Sequence, residues 1–438
     1  CDRTATTTDA GATVFQSIFP AGCGGLAGSD RPWLAVYDPS PGTPNQSAYT
    51  GPRPLIYSES NNLNTGAQWV MSNSSVDPEA GGPGLNFINA EQDGPGNVTQ
   101  YSPFGADGYP SIDQVTGDVF QVEFSGSNIL LNIGTPDANG DLKFLDAPTA
   151  ANPSGDPSQL ITVASNVPAS AGDAANFVVT SIDAARNLYA TWVGKSTNPA
   201  ERQTFLSVAS ATSGWRTWSA PVTVSSAPSL VSVFPWVKSG AAGRADVVWY
   251  GSNKSVDPSS QSGQSWDVFM AQAVFPVDRT GAVTGAKPAV SMTKVTPHPM
   301  HYNDICLAGT DCIQQQGNRN LADFFAVTID KTGAAEVVYD DTSNGLAQPG
   351  FTPADQQLVD HAGAGVITIA RQSAGPGLFG STVSGSSSGP VSLLADPAGD
   401  ALYPVIGGAN VAGFDVLNSQ LTLSSNGKTL NVTAQVAA

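Results

Sequence analysis

Apolar and polar positions alternate in short runs along almost the whole chain. Runs rich in Val, Ile, Phe, Tyr and Trp are separated by clusters of Gly, Pro, Asn, Asp and Ser. A period of two predicts strands, and the turn clusters predict many short ones. Helical periodicity is nearly missing; Pro353 to His361 is the best helix candidate, and it is short.

One unit recurs: an apolar strand, often introduced by an aromatic-Pro pair, a Gly- or Asn-containing turn, then a second apolar strand. It reads Tyr109-Pro-Ser-Ile-Asp113, turn Val115-Thr-Gly117, then Asp118 to Phe124. It returns as Asn176 to Ile182, turn Asp183 to Asn187, then Leu188 to Trp192. A third copy is Phe234-Pro-Trp-Val237, turn Ser239 to Arg244, then Ala245 to Tyr250, and a fourth is Asp323 to Asp330, turn Lys331-Thr-Gly333, then Ala335 to Tyr339. A looser fifth copy opens at Asp30-Arg-Pro-Trp-Leu-Ala-Val-Tyr37 and returns near Leu55-Ile-Tyr57. The copies begin near 30, 109, 176, 234 and 323, an irregular period of roughly 60 to 90 residues that loop insertions must fill.

Further pairs lie between copies, such as Asn128–Asn132 with Leu142–Phe144, and Trp266–Ala271 and Val366–Ala370 read as third strands. Two hairpins per repeat describe a propeller blade, which leaves only short, protected edges. The sequence therefore predicts an all-β fold: a six-bladed β-propeller over residues 1–395, then a linker and the start of a C-terminal β-rich segment over 396–438. Phe414–Leu417, Gln420–Leu423 and Thr429–Thr433 read as a hairpin of that tail. The pattern Trp-x-x-Ser-Asn-x-Ser-Val-Asp-Pro occurs at Trp69 and again at Trp249, and reads as one strand exit used twice. Opening inside a blade motif and stopping inside a hairpin, the chain reads as one segment of a longer protein.

Composition narrows the partners. With 36 acidic against 18 basic residues the formal charge is −18, which disfavours nucleic acid and anionic membranes. No apolar run approaches the roughly 18–20 residues that a membrane span needs. Four cysteines in a Lys-poor, Ser/Thr-rich chain suit an oxidising, extracellular or cell-surface location, with Cys1–Cys23 and Cys306–Cys312 as the pairs close in sequence. None has zinc-ligand spacing beside histidines, and no metal or other cofactor is expected. A structural calcium is the one ion the spacing admits: Asp137-Ala-Asn-Gly-Asp141 has the Asp-x-Asn-x-Asp pattern, without the bidentate Glu at its twelfth position. An Asn-Gly hairpin turn is the simpler reading.

Thr7-Thr-Asp9-Ala-Gly11-Ala-Thr13-Val14-Phe15 resembles an Asp-box, the bacterial neuraminidase repeat that sialidases carry between a blade's outer strands. Ala211-Thr-Ser-Gly-Trp-Arg-Thr217-Trp218 resembles an eroded one. Together with the cysteine-closed loop and strands of His301 to Asp341, the chain is similar to secreted bacterial sialidase-like proteins. That resemblance implies a propeller and, in active members, three arginines gripping the sugar carboxylate, a Tyr–Glu nucleophile and an Asp acid/base. The family's Phe/Tyr-Arg-Ile-Pro motif is missing; Asp30-Arg31-Pro32-Trp33 is the nearest shape.

Arg31 and Arg319 stand at the starts of inner-strand copies, with Asp30 and Asp323 as neighbours, so these four are candidate ligand contacts or blade-entry ion pairs. Trp33, Trp236 and Tyr250 are candidate sugar-stacking rings or core residues. His298 and His301 could share a metal or lie on a solvated loop. The function expected is a secreted, non-catalytic recognition or structural module that binds glycans or cell-surface components. The alternatives are an exo-sialidase-type glycoside hydrolase acting on acidic sugars, and an extracellular assembly subunit.

Overall fold

The computed structural model describes residues 5–6, 15–16, 29–62, 66–73, 88–89, 109–152, 155–168, 178–194, 196–308, 312, 317–321, 325–343, 366–384, 391–392, 416–423 and 430–436. Strands β1 (Ala5–Thr6) and β2 (Phe15–Gln16) pair near the start. The first blade runs β3 (Ser29–Tyr37), β4 (Leu55–Asn62), β5 (Gly66–Asn73), β6 (Ile88–Asn89). The second runs β7 (Ser111–Ile112), β8 (Val119–Ser125), β9 (Asn128–Pro136), β10 (Leu142–Phe144), with β11 (Ile161–Ala164) also on β9. The third is β12 (Val179–Ile182), β13 (Asn187–Val193), β14 (Thr204–Ser210), β15 (Val222–Thr223). The fourth is β16 (Val231–Ser239), β17 (Arg244–Ser252), β18 (Ser265–Val274), β19 (Ala289–Lys294), with β20 (His301–Tyr302) on β18. The fifth is β21 (Ala326–Ile329), β22 (Ala335–Asp341), β23 (Val366–Arg371). A hairpin of β24 (Ala374–Pro376) and β25 (Thr382–Ser384) follows, then a sheet of β26 (Val391–Ser392), β27 (Val416–Leu423) and β28 (Leu430–Val436).

The fold is an all-β propeller, but of five blades rather than six. Each of the five repeat copies opens one blade: their first strands are β3, β7, β12, β16 and β21. Among the described residues the excess length lies in connections, notably 38–54, 253–264 and 275–288, not in another blade. The innermost strands touch in sequence, β3 to β7 to β12 to β16 to β21, and no contact of that extent joins β21 to β3 among the described residues. The repeated Trp pattern needs a second correction. Trp69 lies on a third strand and Trp249 on a second strand, so in antiparallel blades their exits point to opposite ends. The helix candidate at 353–361 lies outside the described residues.

Blades stack face on face. Tyr37, Tyr57 and Trp69 of the first meet Ile112, Val119 and Phe144 of the second. Phe120, Val122 and Leu131 of the second meet Leu188 and Trp192 of the third. A larger core joins the third, fourth and fifth around Tyr189, Trp249, Trp266 and Tyr339. Covered on both sides, a middle strand such as β13 is buried throughout, so its residues are apolar or small where a half-exposed strand would alternate.

Antiparallel order puts first–second and third–fourth turns at one end of every blade. Here an aspartate recurs. Asp137, Asp183, Asp278 and Asp330 each accept from the backbone N–H groups two and four residues on, at 2.7–3.1 Å. The third residue after the Asp is left-handed: Gly140, Gly281 and Gly333 occupy it, and Arg186 stands there at φ 65° in the Asp183 turn. A side chain there is strained. Its guanidinium forks onto Asp113 of the second blade, Nε 3.1 Å from each oxygen and Nη2 2.6 Å from Oδ2, and lies 5.4 Å over the Trp215 ring. The other blades are clasped at the same end: Gln114 to Val36 and Asp38, Gly243 N–H to Asp183, and Ala241 and Gly333 through Leu378.

Because the Asp113 side chain is only 2% exposed, Arg186→Ala leaves a buried carboxylate without its cation, held only by donors of its own turn, Val115 and Thr116. Urea unfolding is expected to show a loss of roughly 3 kcal/mol. Arg186→Gly, which relieves the left-handed strain, should lose roughly 1 kcal/mol less.

Candidate functional site

The opposite end carries the second–third connections, such as residues 253–264, and the starts of the innermost strands. Proline has no N–H to donate to a ladder, so an X-Pro pair inside a strand forces an irregularity. Pro32 lies where the β3–β4 register shifts between Asp30 and Trp33, and Pro235 where the β16–β17 register shifts between Val233 and Trp236. Phe234, just before Pro235, has φ 51°. Tyr109-Pro110 leads into β7 in the same way.

These three inner-strand segments bring three rings together. Trp33 lies 5.5 Å from Tyr109 at 76° and 5.5 Å from Trp236 at 61°, and Tyr109 lies 5.4 Å from Trp236 at 46°. They come from the first, second and fourth blades, and the fourth adjoins neither of the other two, so they meet at the propeller axis. All three residues are half-buried. The third blade contributes small polar groups here: Thr180 Oγ1 accepts from Ser111 Oγ at 2.9 Å and donates to the Tyr109 carbonyl at 3.2 Å.

A second layer supports this mouth. Tyr250 is fully buried, stacked on Phe325 at 4.2 Å and edge-on to Phe234 at 6.2 Å. Burial pushes the Tyr109 and Tyr250 phenols up from their ordinary value, so both stay neutral at physiological pH. The register sets Glu59 directly opposite Trp33 on one side and Trp69 on the other, and this carboxylate is fully buried. Trp69 Nε1 in turn donates to Gln121 of the second blade at 3.3 Å. Glu59 left one weak sign in the chain, an acidic residue two positions after the apolar run Leu55-Ile-Tyr57.

Of the residues singled out in the sequence, Trp33 and Trp236 meet at the axis, joined by Tyr109, while Tyr250 lies beneath. Asp30 and Arg31 fall on the irregular stretch of β3, Asp30 pairing with Asn61. Arg319 is half-buried in the segment that precedes the fifth blade. Asp323, the Asp-box residues Thr7, Asp9, Gly11 and Thr13, and the pair Cys1 and Cys23 lie outside the described residues. Cys306 and Cys312 form a disulfide with Cα atoms 5.9 Å apart. The eroded box at 211–218 connects β14 and β15, the third and fourth strands of its blade. At 137–141 the Asp137 carboxylate serves its own turn's amides, as a hairpin turn requires. The histidines do not share a site. His301 is buried with Nδ1 2.6 Å from Thr342 Oγ1 and Nε2 3.0 Å from the Asp304 carbonyl, while His298 lies 3.4 Å from Asp341. Ser343 Oγ is 3.3 Å from His298 but donates at 2.6 Å to the Pro299 carbonyl, so this Ser–His–Asp group ties a loop. Among the described residues no group of three metal-ligating side chains occurs, and no helix is long and apolar enough to cross a membrane.

No protein-family model and no curated protein matches the chain. Among solved structures it is similar to the GH43 endo-arabinanase of Bacillus licheniformis, at 10% identity and TM-score 0.31 over 78% of this chain and 99% of that one. It is also similar to the alpha-L-arabinanase of Penicillium chrysogenum complexed with arabinobiose, at 11% identity and TM-score 0.33 over 78% and 98%. A leech intramolecular trans-sialidase gives 11% identity and TM-score 0.33 over 70% of this chain and 36% of that one. Likeness at this level assigns no activity to the chain.

Proposed function

We propose that this is an extracellular propeller that binds a neutral glycan at its axis, on the side away from the Asp turns. The carrying observation is the convergence of half-buried Trp33, Tyr109 and Trp236, the last from a blade that adjoins neither of the other two. Flat apolar rings beside a few polar groups suit the C–H faces and hydroxyls of a sugar. The formal charge of −18 argues for a neutral glycan over an anionic one. A glycan array probed with the full chain tests this reading. Binding to neutral oligosaccharides is expected; binding confined to sialylated or sulfated glycans, or none at all, contradicts it.

A second reading, hydrolysis of the bound glycan, rests on Glu59, a buried carboxylate in the same cross-strand row as Trp33. Glycosidases generally need a carboxyl of this kind beside the scissile bond, with a second one across it. In that case Glu59→Gln should lower turnover of a bound oligosaccharide by about 100-fold or more while its affinity stays within a few-fold. Equal turnover by both proteins removes Glu59 from the reaction.

A further inference from the structure

The fifth blade is one strand narrower than the rest. Among the described residues β23 pairs only with β22, whereas each of the first four blades carries a fourth strand. The outermost strand of the fourth blade therefore faces no counterpart, and Ser291 and Thr293 on β19 stay exposed. A cleft of about 390 Å³ lies here, between the outer two strands of the fourth blade and β22 and β23 of the fifth. That volume falls within the range of about 300–1,000 Å³ usual for small-molecule sites.

Register decides what each wall presents. Cross-strand partners share a face, so Met270 with Thr293 and Gln272 with Ser291 point to one side of the fourth blade. It is the side of the fifth blade: Val268, two residues before Met270, is paired with Tyr250, which stacks on Phe325 at the entry to β21. Across the cleft Val337 is paired with Ala370, and both belong to the apolar core of that blade's inner face. Gln272 is only 6% exposed, yet it lines the cleft. Its Nε2 donates to Asp246 Oδ1 at 3.1 Å and to the Pro376 carbonyl at 3.0 Å. Both neighbours are acceptors, so the amide nitrogen must face them. The other end, Oε1, receives no donor from the described residues and is the acceptor left for the cleft. The two cations at its edge are already neutralised. Lys294 lies 3.4 Å from Asp267, and Arg371 lies 2.5 Å from Asp330 and 3.7 Å from Glu336. One apolar wall, an open carbonyl acceptor and two hydroxyls, without an unpaired charge, describe a site for a ligand that is neutral and rich in hydroxyls.

We propose that the cleft between the fourth and fifth blades is a second ligand site, taking a neutral molecule of one or two sugar rings. Its C–H face lies on Val337 and Ala370, and its hydroxyls meet Gln272 Oε1, Ser291 and Thr293. The site shares no residue with the axial cluster of Trp33, Tyr109 and Trp236. The full chain, labelled at its four methionine methyls, is followed by NMR, with Met270→Leu assigning the signal that reports the cleft. Maltose, cellobiose, lactose and xylobiose are titrated in, with glucuronate and sialyllactose as anionic probes. A saturable movement of the Met270 methyl with at least one neutral probe is expected. Thr293→Trp, which fills the cleft from its exposed rim, should abolish that movement. Val290→Trp should keep it, since Val290 is paired with Ala273 on the opposite face of the same strand and is 37% exposed. Trp236→Ala, at the axis, should keep it too, so failure at one site is read apart from failure at the other. No movement with any neutral probe, movement with the anionic probes alone, or movement that survives Thr293→Trp overturns the proposal. So does a movement lost in Trp236→Ala, which would assign the binding to the axis.

Discussion

In the Asp246→Asn protein, stability at pH 8 should exceed that of the unsubstituted chain by on the order of 4 kcal/mol, and the advantage should shrink to within about 1 kcal/mol near pH 4. Asp246 sits on β17 with no exposed surface; its Oδ1 accepts from Gln272 Nε2 at 3.1 Å, and its Oδ2 meets no donor. Burial raises its pKa to about 7, against smaller lowering influences from Gln272 and Arg244. In the unfolded chain the same carboxyl ionises near 4. Between those values the folded protein holds a proton that the unfolded chain has released, so stability falls as pH rises through this window and levels off above it. An amide is neutral throughout and removes that slope. Urea unfolding of both proteins at several pH values between 4 and 8 measures it; parallel curves would show that the buried carboxyl is not the source.

Trp236→Ala should weaken glycan binding by roughly 30- to 100-fold, a loss of about 2–3 kcal/mol at a central aromatic anchor. Trp236 touches both other rings of the cluster, so its removal also frees Trp33 and Tyr109 to move. Trp236→Phe keeps an aromatic face and should retain most of the affinity. Titration by calorimetry, with far-ultraviolet circular dichroism as a check on folding, separates a lost platform from a lost fold. Unchanged affinity in the folded alanine protein would exclude the axis as the binding place.

The strands were readable because alternation is a local property, and all five inner hairpins were found from it. The number of blades was misread because length was counted as blades: residues 38–54 and 275–288 fill connections that alternation alone does not separate from missing sheets. Trp33 and Trp236 stood out as X-Pro-Trp, since proline in a strand signals a break in the ladder. Tyr109 was visible only as a strand opener, because its role depends on two residues from distant blades. Glu59 was hidden for another reason. In a half-exposed strand an acidic residue marks the solvent face, whereas stacked blades bury both faces. Arg186 carried no signal either: glycine marks a left-handed turn position, and an arginine held there by a partner in another blade does not.

The most direct test of binding at the axis is a crystal of the full chain soaked with an oligosaccharide that the array identifies. The account predicts a sugar ring against Trp33, Tyr109 and Trp236. Sugar density on the Asp-turn end or the outer rim, with the three rings unoccupied, would contradict it.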